Sequence, residues 1–233
     1  MNIRHIFTAI AICAVTASYA QDALQWTQLS RYAAANDSLA AAATRPAVVL
    51  MGNSITDMWP ERAPHLFKSH PGIVGRGISG QTTSQMLLRF QADVVALHPR
   101  AVVINGGIND IALNSGTYSE DLTVGNIRSM AAIARASGIE PILTSVLPAE
   151  GFSWRKDLTG AMDSIRSLNE RIRALAAEID APYVDYFSEM VDEAGAAMHP
   201  DYSDERPAVH PNARGYQVME SKLLPSISHL LTD

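Results

Sequence analysis

Ala47-Val48-Val49-Leu50-Met51-Gly52-Asn53-Ser54-Ile55-Thr56-Asp57 is the stretch on which the fold turns. Five apolar residues in succession, with no polar alternation, describe a strand covered on both faces, as parallel strands are. Gly52-Asn53-Ser54 then supplies a tight turn into a helix. The pattern recurs down the chain. Ile73-Val74 is a weak strand and Ala101-Val102-Val103-Ile104-Asn105 a strong one. Pro141-Ile142-Leu143-Thr144-Ser145-Val146 and Pro182-Tyr183-Val184-Asp185 complete the set. Helical periodicity fills the gaps: Gln21–Thr44, Thr83–Leu97, Thr123–Ser137, Met162–Ile179 and Asn212–Leu224, the last stopped by Pro225. Strands alternating with helices predict a three-layer α/β/α sandwich around a central parallel sheet of about five strands. Two stretches read as loop insertions, Pro148–Asp157 and Ala194–Pro211.

The chain has 233 residues, 47% of them hydrophobic and 18% charged, with 14 Gly and 12 Pro. That is globular composition, which excludes disordered, collagen-like and coiled-coil chains. No repeat, linker or composition shift marks a second domain, so residues 21–233 are expected to form one. The formal charge is −6 and no Lys/Arg run occurs, so a nucleic-acid partner is not expected.

The N-terminus has a different character. Met1-Asn2-Ile3-Arg4-His5 is followed by an apolar run from Ile6 to Val15 and by Ser18-Tyr19-Ala20. A short positive segment, a brief apolar core and small residues at −3 and −1 describe a secretory signal peptide over residues 1–20. The run is too short to span a bilayer comfortably. Removing it removes Cys13, the chain's one cysteine. The mature protein then has no disulfide, thiolate metal ligand or thiol nucleophile. It is expected to be exported, periplasmic or extracellular, with no stable membrane insertion.

In open parallel sheets, ligands bind beyond the C-terminal ends of the strands. Ser54 follows the first strand on a sharp turn. Such a turn presents a hydroxyl and places the serine's own N–H at a helix N-terminus, where it can face an oxyanion; a plain helix cap is the alternative reading. Gly75-Arg76-Gly77-Ile78-Ser79-Gly80 follows the second strand. It fits Gly-x-Gly-x-x-Gly, but that dinucleotide fingerprint belongs to the first strand-to-helix turn, with an acid at a later strand end. Asp93 lies inside a helical stretch, so a nucleotide site is not expected. The glycines instead leave backbone N–H groups exposed. Gly106-Gly107-Ile108-Asn109-Asp110 follows the third strand; the Asn109 amide can donate to a developing negative oxygen, and Asp110 reads as the cap of the next segment. Near the C-terminus, Val209-His210-Pro211-Asn212 places His210 in a short loop directly ahead of a helix. Histidine is the usual base for a serine.

Together these four segments resemble the SGNH hydrolases, also called GDSL esterases/lipases. Gly52-Asn53-Ser54-Ile55-Thr56 is similar to the Gly-Asp-Ser-Leu block, with Asn for Asp. Gly80, Gly107-Ile108-Asn109-Asp110 and Val209-His210-Pro211-Asn212 match the remaining blocks in order, from about Pro46 to Leu224. The resemblance is nearest an exported bacterial acetylhydrolase-like subgroup. It implies the flavodoxin-like SGNH fold and ester hydrolysis through an acyl-enzyme. Ser54 is then nucleophile, His210 base, and the Ser54 and Gly80 N–H groups with the Asn109 side chain form the oxyanion hole. It implies no metal and no organic cofactor.

One position departs from the family pattern. An Asp usually stands three residues before the histidine; here that place is Pro207, in Asp204-Glu205-Arg206-Pro207-Ala208-Val209-His210. A longer loop lets Asp204 or Glu205 reach the imidazole. A backbone carbonyl in its place gives a dyad, and a decayed enzyme is the third reading. Asp185 is a remote candidate acid. Trp59, Phe152 and Trp154 are candidates to stack on sugar rings, Arg76 and Arg155 to meet an anionic group. The expected partner is a small-molecule or glycan acyl ester, with short acyl groups, acetyl first, on carbohydrate. A lysophospholipase or thioesterase on the same site, and a non-catalytic glycan-binding relic, are the alternatives.

Overall fold

A computed structural model of the chain describes residues 25–42 and 45–231. The leader segment Met1–Ala20 lies outside the described residues. The elements run α1 (Ala33–Ala41), β1 (Val48–Gly52), α2 (Ser54–Arg62), α3 (His65–Ser69), β2 (Ile73–Gly77), α4 (Thr83–Asp93), β3 (Ala101–Asn105), α5 (Ile108–Ile111), α6 (Glu120–Ala136), β4 (Glu140–Thr144), α7 (Ala161–Glu178), β5 (Tyr183–Val184), α8 (Phe187–Met190) and α9 (Ala213–Ile227).

The five strands form one sheet in the order β2-β1-β3-β4-β5, every pair parallel. Val48 sits between Ile73 and Ala101, and Gly52 between Gly77 and Asn105. The chain winds outward in one direction from β1 to β2 and in the other from β3 to β5. The crevice where it changes direction lies above the ends of β1 and β3, where Ser54 and Asn109 stand.

Side chains alternate along the central strands. Val49, Met51, Val102, Ile104 and Leu143 enter a core with Met86 and Phe90 of α4, Ile127 and Met130 of α6, and Leu168 and Ile172 of α7. Val48, Leu50, Val103 and Ile142 enter a second core with Ile55 and Trp59 of α2, Leu66 of α3, and Met219 and Leu223 of α9. The sheet is thus covered on both faces, as its apolar runs require. Each fully buried aliphatic or aromatic side chain contributes about 1.5–3 kcal/mol.

Three expectations need correction. The helix expected over Gln21–Thr44 is interrupted at 28–32, with Gln28 at φ +51°. The break turns the Trp26 and Thr27 carbonyls toward α4 and the turn before it, where they accept from the side-chain amides of Gln85 (2.8 Å) and Gln81 (2.9 Å) respectively. Tertiary hydrogen bonds override a loose periodicity there. Second, Pro225 does not stop α9, which continues to Ile227. Leu223 and Ile227 are fully buried on either side of the proline and hold the last turn down. Third, Gly75-Arg76-Gly77 is not a loop after a weak strand but the second half of β2. A Cβ on Gly77 would come within 2.2 Å of the Asp57 nitrogen and 2.6 Å of the Asn53 carbonyl oxygen. The glycine lets the start of α2 lie directly against the strand.

Candidate active site

Ser54 is the first residue of α2. Asn53 caps the helix, its Oδ1 accepting from Ile55 N at 3.3 Å. Ser54 is 6% exposed, so only its outer surface meets solvent. His210 reaches it from the loop ahead of α9, with Nε2 2.9 Å from Ser54 Oγ. On the other side of the imidazole, Nδ1 lies 2.8 Å from Glu205 Oε2 and 3.0 Å from Oε1. The His210 backbone N–H also points to this carboxylate, at 3.4 Å. Serine, histidine and glutamate therefore form one hydrogen-bonded line. Asp204 turns the other way and accepts from Asn212 Nδ2 at 3.1 Å. Asp185 belongs elsewhere, capping α8 through Ser188 and paired with Arg173.

The loop between Glu205 and His210 is anchored along its length. Glu205 N donates to Ser203 Oγ at 3.1 Å, and Ala208 N to Glu150 Oε1 at 3.1 Å. The Asn212 side chain caps α9 by accepting from Arg214 N and Gly215 N, each at 3.0 Å. The path of this loop puts the fifth residue before His210 beside the ring, in place of the third.

A second cluster lies beyond the ends of β2 and β3, the strands on either side of β1. Gly80 takes φ +79°, a region that favours glycine. Among the described residues neither Ser54 N nor Gly80 N has an acceptor; the first N–H groups of a helix have none within it. Asn109, in the first turn of α5, donates one amide hydrogen to Gln81 O at 2.9 Å. An amide carries two, so the other remains for a ligand.

Residues 37–218 match the GDSL-like Lipase/Acylhydrolase family. The chain belongs to that family. This GDSL-type protein is 46% identical to a GDSL-like lipase from Bacteroides thetaiotaomicron VPI-5482, with a TM-score of 0.81 over 88% of this chain and 99% of that one. It is 25% identical over 201 residues to Thioesterase 1/protease 1/lysophospholipase L1 of Escherichia coli (strain K12), covering 81% of this chain and 88% of that protein. It is 28% identical over 140 residues to the lipoprotein YqeF of Bacillus subtilis (strain 168); the match takes in 53% of this chain but only 58% of that protein's length. Family and relatives make it a hydrolase of the ester-cleaving acylhydrolase class.

Several supports of the GDSL-type site escaped the reading of its sequence. Asn114 donates to Asn109 Oδ1 and to Gly80 O, both at 3.1 Å, and accepts from Trp154 Nε1 at 3.0 Å. Arg89 is fully buried under the same corner. It donates to Gln81 Oε1 at 2.6 Å, to Asp93 Oδ2 at 2.9 Å and to Gly52 O at 2.7 Å. Burial pulls the Arg89 pKa down, and Asp93 beside it pulls it up. Helical spacing was the one signal for this pair, an Arg four residues before an Asp.

Asp110 does not cap its own segment. It accepts from Thr83 N and Thr83 Oγ1, at the start of α4, and from Thr123 Oγ1 of α6. Burial pushes its carboxyl above the usual carboxylate value, against the hydrogen bonds from Thr83 and Thr123.

The substrate candidates divide. Trp59 is buried in α2, 5.1 Å from the Tyr216 ring, and Phe152 is buried in the core. Arg76 is only 5% exposed and is tied to Asn36 and to the Tyr32 ring. Arg155 pairs with Asp157. Trp154 alone of the three aromatics is open to solvent, at 44%.

Proposed function

We propose that this protein is an exported serine esterase that removes short acyl groups, acetyl first, from carbohydrates. The observation that carries the reading is the line Ser54 Oγ–His210 Nε2 (2.9 Å) and His210 Nδ1–Glu205 Oε2 (2.8 Å) beside unpaired N–H donors. In this mechanism His210 Nε2 takes the Ser54 proton as Oγ attacks the acyl carbon. The carbonyl oxygen becomes an oxyanion facing Ser54 N–H, Gly80 N–H and the free Asn109 amide hydrogen. One such donor is typically worth about 2.7–4 kcal/mol of barrier. Collapse breaks the ester C–O bond, and the imidazolium gives its proton to the leaving alcohol. Water then attacks the acyl-enzyme, His210 takes its proton, and the acid leaves as that proton returns to Ser54. Glu205 accepts Nδ1–H and fixes the ring's tautomer.

The substrate class rests on the surroundings. Asn114, which donates to Asn109 Oδ1 and Gly80 O, and Ser115 beside it make the oxyanion corner polar, which suits a small acyl group on a hydroxylated leaving group better than a long alkyl chain. Trp154, anchored through Nε1 to Asn114, offers an exposed ring next to that corner. Aromatic faces pack on the apolar faces of sugars, and the tether fixes this one at little entropic cost. A thioesterase or lysophospholipase is the second reading, favoured by the Escherichia coli relative. Pro207 motivated the idea of a non-catalytic relic; with Glu205 beside His210 that motive falls away. Export rests on the Met1–Ala20 leader, and no described helix is long and apolar enough to cross a membrane.

The test is p-nitrophenyl ester hydrolysis by residues 21–233, beside Ser54→Ala and His210→Ala. Turnover highest on acetate and lost in both variants is expected. A preference for acyl chains of about eight carbons or more overturns the deacetylase and favours the lipid or thioester reading. Hydrolysis equal in wild type and variants overturns the serine mechanism. Amino-terminal sequencing of protein secreted by a host carrying the full chain checks the leader: Gln21 is the expected first residue.

A further inference from the structure

α2 begins with Ser54 and ends with Arg62. The far end of the nucleophile's helix meets the loop that carries the other two members of the line. Arg62 Nη1 donates to Pro211 O, the carbonyl just after His210, at 2.9 Å. Its Nη2 lies 3.5 Å from Glu205 Oε1. The two helices are also bolted together in the core. Tyr216 OH donates to Ile55 O at 2.7 Å, and Trp59 Nε1 to Glu220 Oε1 at 3.2 Å. These buried bonds fix α9 to α2 but do not touch the 203–211 loop. Arg62 does.

On the reading that Ser54 is a nucleophile, we infer that Arg62 is a positioning residue that holds the Glu205 carboxylate against His210. The need for one follows from the departure in sequence. A glutamate five residues from the histidine has one more torsion than an aspartate three residues away, and a longer loop behind it. Its side chain is half-open to water, so other rotamers compete with the bound one. The Arg62 fork ties carboxylate and loop to the rigid end of α2, and a planar guanidinium suits two such acceptors better than an ammonium does. A partly solvated pair at 3.5 Å adds little to folding. Its effect belongs to the fraction of molecules with the acid in place.

The experiment is a double-mutant cycle on p-nitrophenyl acetate hydrolysis. Arg62→Gln is expected to lower kcat about 3–10-fold at unchanged KM and melting temperature, and Arg62→Lys to recover only part. In a Glu205→Gln background the same change is expected to cost less than about twofold, because the residue acts through the acid. Equal losses in both backgrounds, an unchanged kcat, or a loss that appears in KM alone overturn the inference. A second readout needs no turnover: the His210 Nδ1 proton by NMR, expected hydrogen-bonded and sharp in wild type and broadened in Arg62→Gln. A resonance alike in both proteins, or absent from both, also overturns it. An inactive wild type breaks the esterase reading, while the Nδ1 proton still judges Arg62.

Discussion

Asn109 and Glu205 belong to the two halves of one candidate site, yet Asn109 is 3% exposed and the Glu205 side chain 37%. The proposed oxyanion corner grows from the ends of β1, β2 and β3, and Arg89 and Asn114 brace it by hydrogen bonds to Gly52, Gln81, Gly80 and Asn109. The acid–base loop is a surface excursion of α9, held by side-chain bonds from Ser203, Glu150 and Arg62. Both hold their groups in place by hydrogen bonds. One does so by burial, where an unmade bond is expensive; the other by several partly solvated contacts, each weak alone. Precision at the first is a by-product of the core. At the second it has to be added residue by residue.

The contrast can be broken from either side. Ser54→Ala and His210→Ala are shared by both halves and are expected to lower kcat about 10⁴-fold or more, since nucleophile and base act as a unit. Glu205→Gln is expected to cost about 10²–10³-fold, less than the roughly 10⁴ of a buried triad acid, because water can partly replace a half-open carboxylate. Asn109→Ala is expected to lower kcat about 10²-fold, with KM unchanged. Asp93→Ala leaves Arg89 buried and unpaired, and is expected to destabilise the fold by about 3–5 kcal/mol in urea unfolding. Arg128→Ala, which breaks an exposed pair with Glu178, is expected to move stability by under about 1 kcal/mol. Trp154→Ala is expected to raise KM about 3–10-fold on an acetylated oligosaccharide and to leave p-nitrophenyl acetate unaffected. If Asp93→Ala costs no more than Arg128→Ala, the buried half is not the stiffer one.

The parts of the site that could be read in the sequence are those fixed by strand ends. Ser54 and Asn109 stand just beyond apolar strand runs, where local spacing places them, and the resemblance to the family's blocks picks out Gly80. His210 was marked by the helix start that follows it. In the sequence the acid stays open between Asp204, Glu205, a backbone carbonyl in its place and the remote Asp185, because the choice depends on the path of a loop whose partners, Glu150 and Arg62, are remote in sequence. Arg62 itself ends a helix containing Pro60, and nothing local ties it to position 205. Arg76 sits in an edge strand whose glycines give it the sequence of a loop, which hides its burial. Trp59 and Phe152 looked like exposed aromatics for the opposite reason: their helix and loop carry polar neighbours, while the rings themselves turn into the core.

The central claim is that Glu205, not Asp204, completes the catalytic line. The most direct measurement is kcat on p-nitrophenyl acetate for Glu205→Gln beside Asp204→Asn, each checked for an unchanged melting temperature. A loss of about 10²-fold or more in the first, with the second within about threefold of wild type, is the predicted result. Equal losses, or a larger loss in Asp204→Asn, contradict it.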